Sequence, residues 1–321
     1  MNRLTLALCS LIALSPTAIA EELDIAAPYP VRHQHPLALT HYSFRPEAPQ
    51  TLTAGSTSVS TSLAWSNTYN SRGKDYLMDV ESRVWDTDFR YAPLEGFELS
   101  VLVPLVWRGG GALDSLIKEW DATLGVPNAK REDAADDQYS FFGQGRDGEP
   151  FTWEDDGTRL GNVQIGAKAE VLQGEHEIST QFILSLPTSA GTFGAEGVDV
   201  AWGVLGAYDM EPASLYWGAN VSYFTDHSLG GVEYHPWHGS FFAAAGMPIL
   251  ENVGATIALV STTQLVENIP RYPDNDLYLD VSLRHRVDTG RSWGVLVREN
   301  PLHPRKTTDV TLLVFAEVTF R

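Results

Sequence analysis

Several groups of side chains in this sequence are of types that can do chemistry. His238 and Ser240 flank Gly239 in an alternating stretch, so both fall on one face of a strand. An imidazole beside a hydroxyl could act as base for a serine nucleophile, as a lipid-active hydrolase requires. No orienting asparagine or acid is identifiable beside them and Phe241 follows the serine, so the pair reads first as wall lining and only alternatively as catalytic. The carboxylates Glu132, Asp133, Asp136, Asp137 and Glu154-Asp155-Asp156 could offer oxygens to calcium. They lack EF-hand spacing and read as solvated loops, with divalent bridging to lipopolysaccharide as the alternative. His33 and His35 stand in the N-terminal segment without a third partner and read as incidental. The single cysteine, Cys9, lies in the N-terminal leader, so the mature chain has no thiol chemistry or disulfide. Neither a metal site nor a cofactor is expected.

These side chains must be positioned by strands. Val163, Ile165, Ala167, Ala169 and Val171 share one face, with Asn162, Gln164, Gly166, Lys168 and Glu170 opposite. Val310, Leu312, Val314, Ala316, Val318 and Phe320 form another row, opposite Glu317 and Thr319. The alternation gives about twelve strands, near 54–69, 76–91, 97–107, 159–172, 176–187, 197–209, 214–225, 236–247, 252–264, 275–287, 291–298 and 308–320. Connections are alternately short and long, and aromatics such as Trp65, Phe97, Trp107, Trp202, Trp237 and Trp293 gather near strand ends. That rhythm and those girdles predict an all-β fold, a closed antiparallel transmembrane barrel with both termini on the short-turn side.

The leader fits the same location. Arg3, the apolar run Leu4–Leu14 and Ala18-Ile19-Ala20 predict a signal peptide over residues 1–20. Residues 21–53 are then expected as a periplasmic or lumen-associated segment and 54–321 as the barrel, in the outer membrane of a Gram-negative bacterium. No later run approaches the ~18 apolar residues of a membrane helix. A formal charge of −19, or −20 once Arg3 leaves, excludes a nucleic-acid surface and favours cations over anions.

Inward parity assigns Gln164, Lys168, Glu170, Asp280, Arg284 and Arg286 to the lumen, with Asn162, Asn220 and Glu317. Asp79, Glu81 and Arg83 join them if the second strand carries a bulge near Trp85–Asp86, which would also turn Asp86, Asp88 and Arg90 inward. Charges of both signs line a water path or form a closed salt-bridged interior. In the longest loop, Leu113, Leu116, Ile117 and Trp120 recur at helical spacing within 112–123, and Gly125 and Pro127 end the helix. Its apolar stripe must be buried, either as a constriction in the barrel mouth or as a lid on neighbouring loops.

The segment GGGALDSLIKEWDATLGVPNAKR at 109–131, after the strand FELSVLVPLVW, resembles the DUF3187 family of outer-membrane proteins of unknown function. LGNVQIGAKAEV at 160–171 and ILSLPTSAGTFGAEGVDVAWGV at 183–204 extend the likeness over most of the mature chain, and the second is also similar to barrel transporters of aromatic-degradation pathways. The family tends to place histidine after the loop tryptophan, where this chain has Asp121. The resemblance implies a fold and a location. With the lumen row it leads to an expected channel or passive transporter for small molecules, narrowed by the loop helix. The alternatives are a hydrolase using His238 and Ser240 and a plugged structural barrel. Expected partners are outer-membrane lipid and lipopolysaccharide, the barrel-assembly machinery through the C-terminal strand, and a small-molecule substrate.

Overall fold

In the computed structural model, residues 24–321 are described apart from 74, 114, 116–117, 120–135, 271, 273–274 and 301–307. Alternation drives the described chain into twelve membrane-length strands: β1 (Thr57–Ser71), β2 (Tyr76–Leu94), β3 (Phe97–Gly109), β4 (Val163–Leu172), β5 (His176–Leu186) and β6 (Asp199–Met210), then β7 (Ala213–Phe224), β8 (Trp237–Leu250), β9 (Val253–Thr263), β10 (Asn275–Asp288), β11 (Arg291–Glu299) and β12 (Thr308–Phe320). Each pairs antiparallel with its sequence neighbour, and β1 closes on β12 from Thr57↔Phe320 to Thr68↔Thr308. Closure leaves no unpaired edge, which is what strands need in a medium without water.

The solvent order is inverted relative to a soluble barrel. Leu99, Val101, Ile165, Trp202, Phe241, Ile257, Val295 and Val314 are all exposed, while Ser58, Ser66, Asn70, Gln164 and Gln181 are buried. An apolar surface on nearly every strand far exceeds what a soluble monomer tolerates and matches a lipid-facing band.

Extra strand segments build up the long-loop end. Ser140–Gln144 pairs with the start of β2 and with Pro150–Thr152, Gly157–Leu160 pairs with the end of β3, and Ser228–Leu229 pairs with Val232–Glu233.

β2 corrects the expected bulge. Its pairing with β1 runs without a shift from Thr57↔Tyr91 to Ser71↔Leu77, so one parity faces inward throughout. Met78, Val80, Val84 and Asp88 are buried on that inner face. Asp79, Glu81 and Arg83 therefore belong to the outer face and do not line the lumen. Arg83 lies 5.0 Å from the Trp65 ring and 4.4 Å from the Trp107 ring on that side, bonded to Glu81 at 2.8 Å. Glu81 is buried there because the backbone N–H groups of Ala112 and Leu113 donate to its carboxylate, at 2.8 and 3.0 Å.

Residues 24–53 fill the barrel. Ile25, Tyr29, Val31, Leu37, Leu39, Tyr42 and Phe44 are all buried, as are Arg32, His33, His35, His41, Arg45 and Glu47. The segment rises from the short-turn end, turns through a 3-10 helix at Ala38–Thr40 near the long-loop end, and descends again to β1. We call residues 24–35 the rising arm and residues 41–53 the return arm. Two glycines make the close approach of the rising arm possible. A Cβ at Gly246 would lie 1.9 Å from the Ala26 carbonyl oxygen, and one at Gly254 would lie 2.1 Å from that of Ile25.

Candidate functional site

The site is the lumen together with the segment that occupies it. Prolines 28, 30, 36, 46 and 49 keep that segment from joining the sheet and remove five donors that would need partners. Its remaining backbone groups are met largely by wall side chains rather than by a ladder. Arg284 donates to Asp24 O at 3.0 Å, Thr256 to Ala26 O at 2.8 Å, Arg298 to Arg32 O at 2.9 Å and Arg108 to Pro36 O at 2.8 Å. On the return arm, Tyr42 N donates to Asp199 at 2.6 Å, Thr51 N to Glu170 at 2.6 Å and Leu52 N to Glu98 at 3.1 Å. The buried polar backbone is thereby satisfied by groups that can also let go.

Side chains add a second set of ties. The Arg32 guanidinium sits on Asp86 through two bonds, at 3.1 and 3.2 Å, and Arg45 sits on Asp88 at 3.1 Å. His33 Nε2 lies 3.1 Å from Asp276 and 2.7 Å from Tyr278 Oη, and His41 Nδ1 lies 3.1 Å from Asp199. The turn is shaped by the histidines themselves: His35 N donates to His33 Nδ1, and Leu37 N donates to His35 Nδ1. His33 and His35, which read as incidental in the sequence, thus lead the rising arm into its turn.

The two ends of the lumen differ in chemistry. At the short-turn end Arg90 contacts Glu47, Asp88 and Glu98, at 2.9, 3.1 and 3.5 Å, and Lys168 lies 3.7 Å from both Glu47 and Glu98. Between the two arms there is a cavity of about 330 Å³, bordered by Tyr29, Gln50, Arg90, Lys168, Arg284 and Glu317. At the long-loop end Leu37 and Ala38 enter an apolar cluster with Tyr76, Met78, Phe141, Trp153, Phe224, Tyr234 and Tyr272. Burial holds the phenols of Tyr234 and Tyr272 above the usual tyrosine range, so both stay neutral there.

Gln164, Lys168, Glu170, Asp280 and Arg284 all face inward. Asp280 pairs with Arg298 at 2.6 Å across β10 and β11, and Arg286 sits at the short-turn rim, donating to Glu251 O at 3.0 Å. His238 and Ser240 also face the lumen, but His238 Nε2 is engaged by the Thr263 carbonyl at 3.1 Å and Ser240 Oγ has no partner among the described residues. That arrangement is wall lining rather than a base poised on a nucleophile. Of the loop stripe only Leu113 is described, buried beside Glu81. Leu116, Ile117 and Trp120 lie outside the described residues. No group of three metal-ligating side chains occurs among the described residues.

The alternation of strands located the wall residues but not their partners in residues 24–53. A compositional signal was available: between Ile25 and Pro46 the formal charges are Arg32 and Arg45 alone, in a chain whose net charge is −19.

Comparison with known proteins agrees with this architecture. The COG4313 outer membrane channel from Pseudomonas putida F1 superposes with a TM-score of 0.58 at 10% identity, over 85% of this chain and 98% of that one. The KdgM porin superposes at 0.44 with 10% identity, over 82% and 99% of the two chains. The P. putida toluene transporter TodX does so at 0.41 with 8% identity, over 94% and 99%. At these identities the first shows a shared fold, and the other two are too distant to add to it. No curated protein matches in sequence. The model of the family DUF3187, a protein of unknown function, matches residues 4–317, and the chain belongs to that family.

Proposed function

We propose that this protein is an outer-membrane channel for small molecules whose lumen is closed by its own N-terminal segment. The observation that carries the proposal is how that segment is held. It is joined to the barrel at one end, shares no strand ladder with the wall and is fixed by reversible side-chain contacts. Barrels of about eight strands fill their interior with wall side chains, but twelve strands enclose a wider lumen that the wall alone does not fill. Here the wall is polar and a separate strand of chain completes it, with a 330 Å³ cavity already between the arms. The apolar outer band and barrel closure support a location in the outer membrane, short turns toward the periplasm. The loop helix of 112–123 belongs to this reading as a second constriction over the outer mouth.

Removing residues 24–53 behind an intact leader tests the proposal in planar bilayers. The wild-type protein is expected to be closed or to flicker, and the deletion to conduct steadily. Deleting 112–123 should add a smaller increase. An inserted barrel with no conductance in either form would reject the channel and leave a structural barrel. Phe320, exposed near the rim of β12, offers a check on location. Phe320→Asp should deplete the protein from outer-membrane fractions, and normal insertion would contradict that placement.

A further inference from the structure

The way the plug is held also identifies what the open lumen prefers. We infer that the solutes passed are cations, small amines or guanidines above all, and that the plug closes the pore by setting its own basic side chains where they would ride. The inference rests on the channel reading and adds to it a substrate class.

Four basic side chains of the plug each lie on one wall aspartate: Arg32 on Asp86, His33 on Asp276, His41 on Asp199 and Arg45 on Asp88. Asp199 and Asp276 stand at the start of their strands at the long-loop end, while Asp86 lies at mid-strand on β2 and Asp88 on the short-turn side of it. The carboxylates therefore step inward from the outer mouth toward the centre. With the plug withdrawn, Asp86, Asp199 and Asp276 lose their basic partners, and Asp88 keeps only Arg90 at 3.1 Å. Even with the plug in place two of them retain unused capacity. Oδ1 of Asp88 and Oδ1 of Asp276 are buried with no hydrogen-bond donor among the described residues, on side chains more than nine-tenths covered. A buried carboxylate oxygen without a donor is costly and is relieved by any cation that reaches it.

The other wall charges do not cancel this ladder. Asp280 and Arg298 neutralise each other, and Glu98 together with Asp88 offsets Arg90 and Lys168, which leaves Asp86, Asp199 and Asp276 as the carboxylates the plug alone answers. Arg108 and Arg284 have no carboxylate partner among the described residues, and each donates to a plug carbonyl. Arg108 lies 4.7 Å from the Phe193 ring and 5.5 Å from the Trp153 ring, and Arg284 lies 5.4 Å from the Phe315 ring. Aromatic faces thus offset part of each charge. Successive carboxylates along a low-dielectric pore attract cations and repel anions, the arrangement by which acidic rings select cations.

The test uses the full barrel lacking residues 24–53 and, in parallel, the full-length chain with Gly246→Leu and Gly254→Leu, which pushes the rising arm off the wall. Reversal potentials under a KCl gradient and liposome swelling with putrescine against succinate are measured for both. The expected result is a potassium-over-chloride permeability ratio of about fivefold or more, with faster entry of putrescine. Combining Asp86→Asn, Asp199→Asn and Asp276→Asn should bring that ratio to roughly one without closing the pore. Conductance with no preference, or with a preference for chloride and succinate, overturns the inference and leaves the channel standing. Absence of conductance in both inserted variants removes the channel reading and this inference together.

Discussion

At the long-loop end the plug is gripped by apolar side chains, and at the short-turn end it is gripped by charges. The outer grip sets Leu37 and Ala38 among Phe141, Trp153, Phe224, Tyr234 and Tyr272, all buried. The inner grip sets Arg45 and Glu47 among Asp88, Arg90, Glu98 and Lys168, beside a cavity of about 330 Å³. Apolar burial gains ~25 cal/mol per Å² and scarcely responds to ions or to small changes of partner. A buried ion cluster has a small net gain, because desolvation offsets most of the attraction, yet losing one member is expensive. The outer closure is therefore the tighter and the inner one the more readily disturbed. Release of the plug should begin from the short-turn side, in the return arm.

The largest effect is expected in the outer grip. Trp153 is 1% exposed, stacks on Phe141 at 4.4 Å and donates its indole N–H to Gly230 O at 3.2 Å. Trp153→Ala should destabilise the folded barrel by ~3–5 kcal/mol, read as a lower urea midpoint in lipid or detergent. It should also free the turn at Ala38–Thr40, seen as faster labelling of a cysteine placed there. A shift in the midpoint with no change in labelling would mean that the cluster stabilises the loops but does not hold the plug.

Removing the hub of the inner grip comes next. Arg90 serves Glu47, Asp88 and Glu98 at once, with its side chain 15% exposed. Arg90→Ala leaves three carboxylates with Arg45 and Lys168 alone. Breaking a buried network costs ~3–5 kcal/mol, and partial exposure beside a hydrated cavity places this case at or below the lower figure. Single-channel recordings should show more frequent and longer openings than the wild type gives, and coupling between Arg90→Ala and Glu47→Ala should be strong because the two groups touch. Additive effects would show that the cluster does not act as one latch.

This contrast also explains what could be read in advance. The strands were legible because lipid outside and polar groups inside impose opposite chemistry on alternate residues; β12 spans 308–320 as the alternation indicated. The inner side of β2 was misread where that contrast reverses. Met78, Val80 and Val84 face a lumen that the outer grip and the plug make dry, so apolar residues point inward and mimic a change of register. Gln164, Lys168, Glu170, Asp280 and Arg284 were legible as lumen residues from parity alone. Their partners were not, because Asp276 lies 243 residues from His33 and no local pattern links the two. Only the proline-rich, acid-free stretch before Glu47 marked the plug as different from the wall.

A substitution on neither grip sharpens the comparison further. Gly246→Ala adds a methyl group where the Ala26 carbonyl oxygen would be 1.9 Å away, so the rising arm must shift. Overpacking of this kind costs ~1–3 kcal/mol, borne by the plug rather than by the β7–β8 ladder. Labelling of a cysteine at Ala26 should accelerate, while labelling at Ala38, under the outer grip, should not. Equal acceleration at both sites would mean that the plug moves as a rigid unit and that the two grips are not independent.

The smallest effect is that of salt. Screening shortens the range of a charge from ~10 Å at 0.1 M ionic strength to ~3 Å at 1 M, and it acts only where ions can enter. The inner cluster borders the cavity, so ions reach its rim at Arg90 and Lys168, whereas the side chains of Leu37 and Ala38 are buried in the apolar cluster. Raising the salt should therefore make wild-type openings more frequent by less than about tenfold, since surface-accessible pairs contribute ~1 kcal/mol or less. Arg90→Ala, having lost the hub already, should respond less, and Trp153→Ala should respond as the wild type does. A salt response that vanishes in Trp153→Ala but persists in Arg90→Ala would reverse the assignment of which end opens first.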